Sequence, residues 1–475
     1  MSTLLKLVST LTRCTVPADP ISLAPFRLPG YPLLIVLVYT LAGQDNLAAV
    51  SLVQAVLFVL ATLELYVLAV LVLRQGWVAL HLGLLVGTNL SLLSYIKPLM
   101  SEALALWLLV SLALAVALFV YTRRVRFLWL MTVIILVLFL TRPEWIYLPL
   151  PLFAYLLLVA WKYGVVRRVL PHALASVILL YAVLGNYIYI NAFTNGFVGV
   201  TSAQNLLAFG KVLQYDMQDE APPQYEATRQ LVDSYVARGI KDPYYILAHE
   251  SALSRDYDAL AGAYAQAIIV GHPGEFLVKS VPLAFSSLTN FSYGSRAAPT
   301  GPFSMPLLWL QSVFRSLYDW NRYFPLCAVL WLLLLCWRRT RQLRAVQLMG
   351  AVVLLALYGL VLSTLGGFDG YERHHIPFMP LLILVFWGSL LSAALLLAQK
   401  GPSLLAWLTS HYFRRQQVSI STATILIASL GGVGLLLFVV RLLLTHGSSS
   451  QVGVVFFFVL SVVSIFRYFR PSEQK

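Results

Sequence analysis

Long apolar runs, each closed by a few basic or turn-forming residues, set the rhythm of this chain. Within a run the apolar positions fill every helical face, which is the pattern of a helix surrounded by lipid or by other helices in lipid. Crossing a hydrocarbon layer takes about 20 helical residues. Runs of that order predict eleven spans, at 46–73, 77–96, 102–120, 127–141, 145–161, 170–190, 323–337, 345–365, 375–398, 420–444 and 451–469. The run "YPLLIVLVYTLA" at 31–42 is shorter and predicts an interfacial or re-entrant helix.

Between 191 and 322 the pattern changes. "PPQYEATRQLVDSYVARG" opens on a proline pair, spaces its apolar residues as one helical stripe and ends at Gly239. "YYILAHESALSRDYDALAGAYAQAIIVGHPGEFLVKSVPLAF" predicts two or three amphipathic helices broken at Gly271-His272-Pro273. The fold class expected is an all-α polytopic membrane protein, a helical bundle with a small extracytoplasmic helical cap. Its parts are an N-terminal segment with the interfacial helix (1–45), a first bundle of six spans (46–190), the cap (191–322) and a second bundle of five spans (323–475).

Composition agrees: 60% of the 475 residues are hydrophobic and 11% charged, with mean hydropathy +0.81, which excludes an ordinary soluble domain. Charge then orients the spans. The connections near 74, 121–126, 162–168, 337–344 and 400–415, with the tail from 467, carry 17 of the 33 Lys and Arg and only one of the 19 acids, Glu473. The positive-inside rule makes that set cytoplasmic, with the C-terminus, and puts the long loop outside a plasma membrane. The net charge of +14 is thus a topology signal, and basic residues scattered over short loops give no nucleic-acid surface. Cys14, Cys327 and Cys336 suggest no disulfide framework, and Asn290-Phe291-Ser292 is a glycosylation sequon only in a eukaryotic secretory host.

Candidate chemistry lies in the turns on the acidic side. Arg27 precedes "LPGYP", Lys97 and Glu102 flank "PLMS", Arg142 and Glu144 bracket Pro143, and "GGFDGYERHHIPFMP" holds Asp369, Glu372, Arg373, His374 and His375. Lys97 and Arg142 can be read as snorkelling at the interface. Glu102 and Glu144 have short stems, and a helix N-terminus favours each carboxylate by a few tenths of a kcal/mol. Adjacent histidines on a helix point about 100° apart, so no metal site is assigned, and a divalent cation stays open as a cofactor. Arg373 with one histidine suits a phosphate oxyanion. Glu64 lies inside a span, where a structural and a functional glutamate are equally expected.

The order of motifs resembles that of bacterial membrane glycosyltransferases of the C-type fold, such as protein O-mannosyltransferases and lipid A aminoarabinose transferases. The resemblance runs over about residues 20 to 400. It is carried by "FRLPGYPLLIVLVYTLAG" with "NLAAVSLVQAVLFVLATLELYVLA", then "SEALALWLL", "TRPEWIYLPLPL", "HPGEFLVKSVPLAF" and "YERHHIPFMPLLILV". It implies transfer of a sugar from a polyprenyl-phosphate carrier to an acceptor outside the cytoplasm, by inverting displacement. Arg373 and a neighbouring histidine would then hold the carrier phosphate with Lys97 or Arg142 assisting, while Glu102, Glu144 and Glu372 with Arg27 would line the substrate site. The family's base is an acid in the loop after its first membrane helix. Here the resemblance begins at the end of that loop, so the expectation is a chain lacking that helix, with Asp19 a weak candidate for the base. The alternative is a non-catalytic homologue or a transporter that binds lipid-linked sugar.

Overall fold

A computed structural model describes residues 28–289, 304–337, 340, 343–368 and 374–393. Every regular element among them is helical. The first part runs α1 (Gly30–Ala42), α2 (Leu47–Leu73), α3 (Gly76–Gly87), α4 (Leu90–Leu93), α5 (Glu102–Thr122), α6 (Arg126–Thr141), α7 (Pro149–Lys162) and α8 (Val166–Asn195). Then come α9 (Ala203–Gln214), α10 (Glu226–Val236), α11 (Pro243–His249), α12 (Ser251–Gly271) and α13 (Pro273–Thr289). The last part is α14 (Ser304–Trp320), α15 (Phe324–Cys336), α16 (Arg344–Gly366) and α17 (Met379–Ala393).

Five helical stretches among the described residues are long and apolar enough to cross a membrane: α2, α5, Pro143–Lys162, α8 and α16. This is an α-helical, multi-pass architecture. The expected span at 77–96 is not one helix. Asn89 turns its side-chain oxygen onto the N–H groups of Ser91 and Leu92, capping a new short helix and ending α3 after twelve residues. The spans expected at 127–141 and 323–337 are helices of sixteen and thirteen residues, α6 and α15, shorter than the about 20 a full crossing needs. The helix expected at 31–42 is present as α1, thirteen residues or about 20 Å long. The expected spans at 420–444 and 451–469, and the end of 375–398, lie outside the described residues.

At the centre is α5, buried on nearly all sides from Glu102 to Val120. Its alanines, among them Ala103, Ala105, Ala113 and Ala117, are small enough to let α2, α6 and α16 close around it by van der Waals packing, the main attraction left between helices in lipid. In contrast α8 turns most of its apolar surface outward, with Ile178 and Leu174 exposed, as a peripheral helix in lipid does. Glu64 of α2 accepts from Trp107 Nε1 (3.2 Å) and Ser111 Oγ (2.6 Å) of α5, so it serves as a polar clasp between two spans.

Residues 203–276 form a second hydrophobic core of their own around Phe209, Val232, Tyr264 and Ile268. Gly239, at φ +78°, ends the α10 segment as its sequence foretold, and α12 passes to α13 at His272. Further on, α14 leaves the cap and buries Val313, Phe314, Leu317 and Tyr318 in the core of the membrane helices. The bundle end away from the cap is basic. There Arg123 lies 3.5 Å over the Tyr163 ring and Arg344 lies 4.7 Å over Tyr121.

Candidate functional site

At the cap end, Pro143 governs the local geometry. It forces the residue before it out of the helical region, so Arg142 is extended (φ −148°, ψ 126°) and α6 stops. The chain turns through Pro143–Trp145 and re-enters as α7. This corner aims the Arg142 guanidinium inward. Its Nε lies 2.7 Å from Glu144 Oε1, its Nη1 3.7 Å from Glu102 Oε1, and its Nη2 donates to His374 Nδ1 at 3.0 Å. A guanidinium has only donors, so Nδ1 of His374 accepts here and the ring carries its proton on Nε2.

Glu102 opens α5 and is almost fully buried, beside the positive end of the helix dipole and Arg142. The Glu144 side chain is 23% exposed against 4% for Glu102 and 7% for Arg142, so Glu144 is the member of the trio that solvent reaches. The Glu144 carbonyl accepts from Tyr358 of α16, and the neighbouring Trp145 ring packs 5.7 Å from Tyr358.

Two contacts that sequence reasoning missed hold the rim. Tyr31 donates to Gln54 Oε1 at 2.7 Å, and Gln54 Nε2 donates to the carbonyls of Ile96 and Pro98. Gln54 is fully buried, and an amide side chain in the otherwise apolar "LVQAVLF" stretch is the signal that could have found it. Gly30 lets α1 sit directly on the end of α6: a Cβ there would lie 2.6 Å from the Leu140 carbonyl carbon. Gly359 makes the same allowance on α16, where a Cβ would meet the Phe378 ring at 2.7 Å.

Of the predicted site residues, the structure brings together Glu102, Arg142, Glu144 and His374. His375 is fully buried beside this group but turns to Tyr318, with ring centroids 6.2 Å apart, so the two histidines serve different neighbours. Lys97 stays at the same end, on the turn that Gln54 binds, with an exposed side chain. Arg142, expected to assist with a phosphate, has Glu144 on Nε and His374 on Nη2, while its Nη1 lies 3.7 Å from Glu102 and makes no hydrogen bond with the described residues; the trio holds two acids to one base. Asp19, Arg27, Asp369, Glu372 and Arg373 lie outside the described residues.

The cap adds two groups. Glu220, His272 and Glu275 bring potential ligand atoms within 4.8 Å of one another at its surface. The Lys279 ammonium, 2.6 Å from Glu275 Oε1, already supplies a cation there. Deeper, Lys211 of α9 is 1% exposed, and burial pushes its ammonium down to about 7. Its Nζ donates to the Thr364 carbonyl of α16 (2.6 Å) and to Tyr215 (3.3 Å), whose hydroxyl donates on to Ser280 (3.0 Å). Nothing in the sequence set this lysine apart from the solvated lysines of an amphipathic helix.

No protein-family model, curated protein or solved structure matches this chain.

Proposed function

We propose that this chain is a membrane glycosyltransferase that moves a sugar from a polyprenyl-phosphate carrier to an acceptor on the cap side of a plasma membrane. One observation carries the reading. Four stretches singled out in the sequence, "LPGYP", "SEALALWLL", "TRPEW" and "HHIPFMP", are far apart in the chain yet meet at one end of the bundle. There Glu102, Arg142, Glu144 and His374 form one polar cluster beneath a helical cap.

A buried network of this kind is costly unless its members satisfy one another, and it earns its place in lipid most readily as a functional site. Glu144, the member open to solvent, accepts hydrogen bonds from sugar or acceptor hydroxyls. Arg142 holds that carboxylate in place, and Glu102 lies behind Arg142. The cations for the departing phosphate are Arg373 with Lys97 or Arg142, whose Nη1 makes no hydrogen bond with the described residues. In the reaction the acceptor hydroxyl attacks the anomeric carbon, the bond to the carrier oxygen breaks, polyprenyl phosphate leaves, and a carboxylate takes the hydroxyl proton.

The test is reconstitution in liposomes with radiolabelled polyprenyl-phosphate sugars and a panel of acceptor lipids, glycans and peptides. Turnover by the wild type, with Glu144→Gln slower by about 10- to 100-fold, is the expected result. Carrier binding without turnover for every sugar and acceptor would assign the chain a binding role instead. No carrier binding at all would end both readings.

A further inference from the structure

We propose that Lys211 is a positioning residue, which fixes the C-terminal end of α16 from the cap and thereby the seat of His374 beside Arg142. The inference rests on the reading of that cluster as the transfer site, and it names the part of the cap that acts on it.

The contacts run in series. Lys211 Nζ donates to the carbonyl of Thr364, in the last turn of α16, where carbonyls have no partner within the helix and the dipole favours a cation. The adjacent Gly210 faces Phe368: a Cβ on Gly210 would fall 2.4 Å from that ring, so α9 and the residues after α16 touch without a gap. Between these two contacts lies Gly367, where a Cβ would meet the His374 ring at 3.1 Å, so the imidazole rests directly on the α16 terminus. From that seat His374 Nδ1 accepts from Arg142 Nη2. The other end of the lysine's network is anchored in the cap: Tyr215 receives from Lys211 and donates to Ser280 of α13, and Ser280 donates to the Phe276 carbonyl.

If Lys211 served packing alone, an apolar side chain of the same length would fill its site at far lower desolvation cost. A buried ammonium adds direction. It grips one carbonyl at one distance, and that carbonyl lies three residues before the glycine under His374.

Hydrogen–deuterium exchange on the full chain in nanodiscs tests this without relying on activity. Two variants loosen the seam in different ways: Lys211→Met removes the donor and keeps the length, and Gly210→Ala crowds Phe368 and leaves the lysine. Both are expected to speed exchange at least ten-fold in peptides covering 362–368 and 374–379, while the cap-core peptides 229–236 and 259–269 keep wild-type rates. Unchanged exchange at 362–379 in both variants would overturn the proposal. So would equal acceleration in the cap core, which would make Lys211 a residue for folding the cap. In the liposome assay Lys211→Met is expected to lower kcat about ten-fold with KM for the carrier within two-fold. Should the wild type prove inactive while exchange responds as expected, the positioning role stands and the transferase reading falls.

Discussion

Arg142 is the residue on which the cluster turns, and its surroundings decide what its replacement does. Two carboxylates sit against it, one almost fully buried, so Arg142→Leu leaves buried negative charge without a partner. Such a break costs about 3–5 kcal/mol, and the loss should be read as a lower unfolding midpoint in detergent. Arg142→Lys keeps the charge but cannot reach three partners in different directions, so it should lie between the two. An Arg142→Leu protein as stable as the wild type would show that the carboxylates are held by something else. Lys211 gives the second prediction at this scale. Its ammonium is pushed from 10.5 down to about 7 by burial, so between those values the unfolded chain binds more protons than the folded one. Stability therefore rises with pH across that window, and below about 7 the folded state bears the full cost of a buried charge. Raising the pH from 6.5 to 9.5 should increase the unfolding midpoint of the wild type more than that of Lys211→Met, and equal shifts would show that Lys211 does not titrate in this range.

At the scale of elements, close approach between helices is what builds the site, and glycines mark where it happens. Gly30→Ala would drive a Cβ into the backbone at Leu140 and Thr141, which cannot yield as a side chain could, so α1 must shift and carry Tyr31 off Gln54. A loss of about 1–3 kcal/mol is expected. At Gly76, by contrast, nothing lies within 4 Å of a new Cβ at the first position of α3, and Gly76→Ala should be neutral or stabilising by about 0.5–1 kcal/mol. Thermal unfolding of the two variants side by side checks the contrast, and equal effects would count against the α1–α6 contact. The same elements show what was legible beforehand. Glu102, Arg142, Glu144 and His374 stood out because charge is rare in an apolar chain and each sits at a turn between helices. Their mutual pairing was not legible, since it joins residues up to 232 positions apart. The break at Asn89 had a signal in "VGTNLSLL", where an Asn that favours helix starts follows a glycine and a threonine, but an unbroken apolar pattern outweighed it. Lys211 left no trace, because burial between the cap and α16 is a property of their docking.

The whole molecule is polarised along the helix direction, and that polarity yields the last prediction. One end carries Arg123 over Tyr163 and Arg344 over Tyr121, with Arg167 exposed in the first turn of α8. The other end carries the cap and the Glu102–Arg142–Glu144 cluster. Basic residues in short connections resist translocation, whereas acids and longer domains translocate readily. The cap should therefore lie outside the cytoplasm and the basic end inside. With Cys14, Cys327 and Cys336 replaced by serine, single cysteines at exposed positions of each end report the sidedness directly. A charged, membrane-impermeant maleimide added to intact cells should label Ser254→Cys in α12 and leave Arg167→Cys unlabelled until the cells are lysed. The reverse pattern would put the polar cluster on the cytoplasmic face. There the carboxylates could still bind a hydroxylated substrate, but transfer to an acceptor outside the cell would be untenable, and the search for a substrate would move to nucleotide-linked sugars and other cytoplasmic donors.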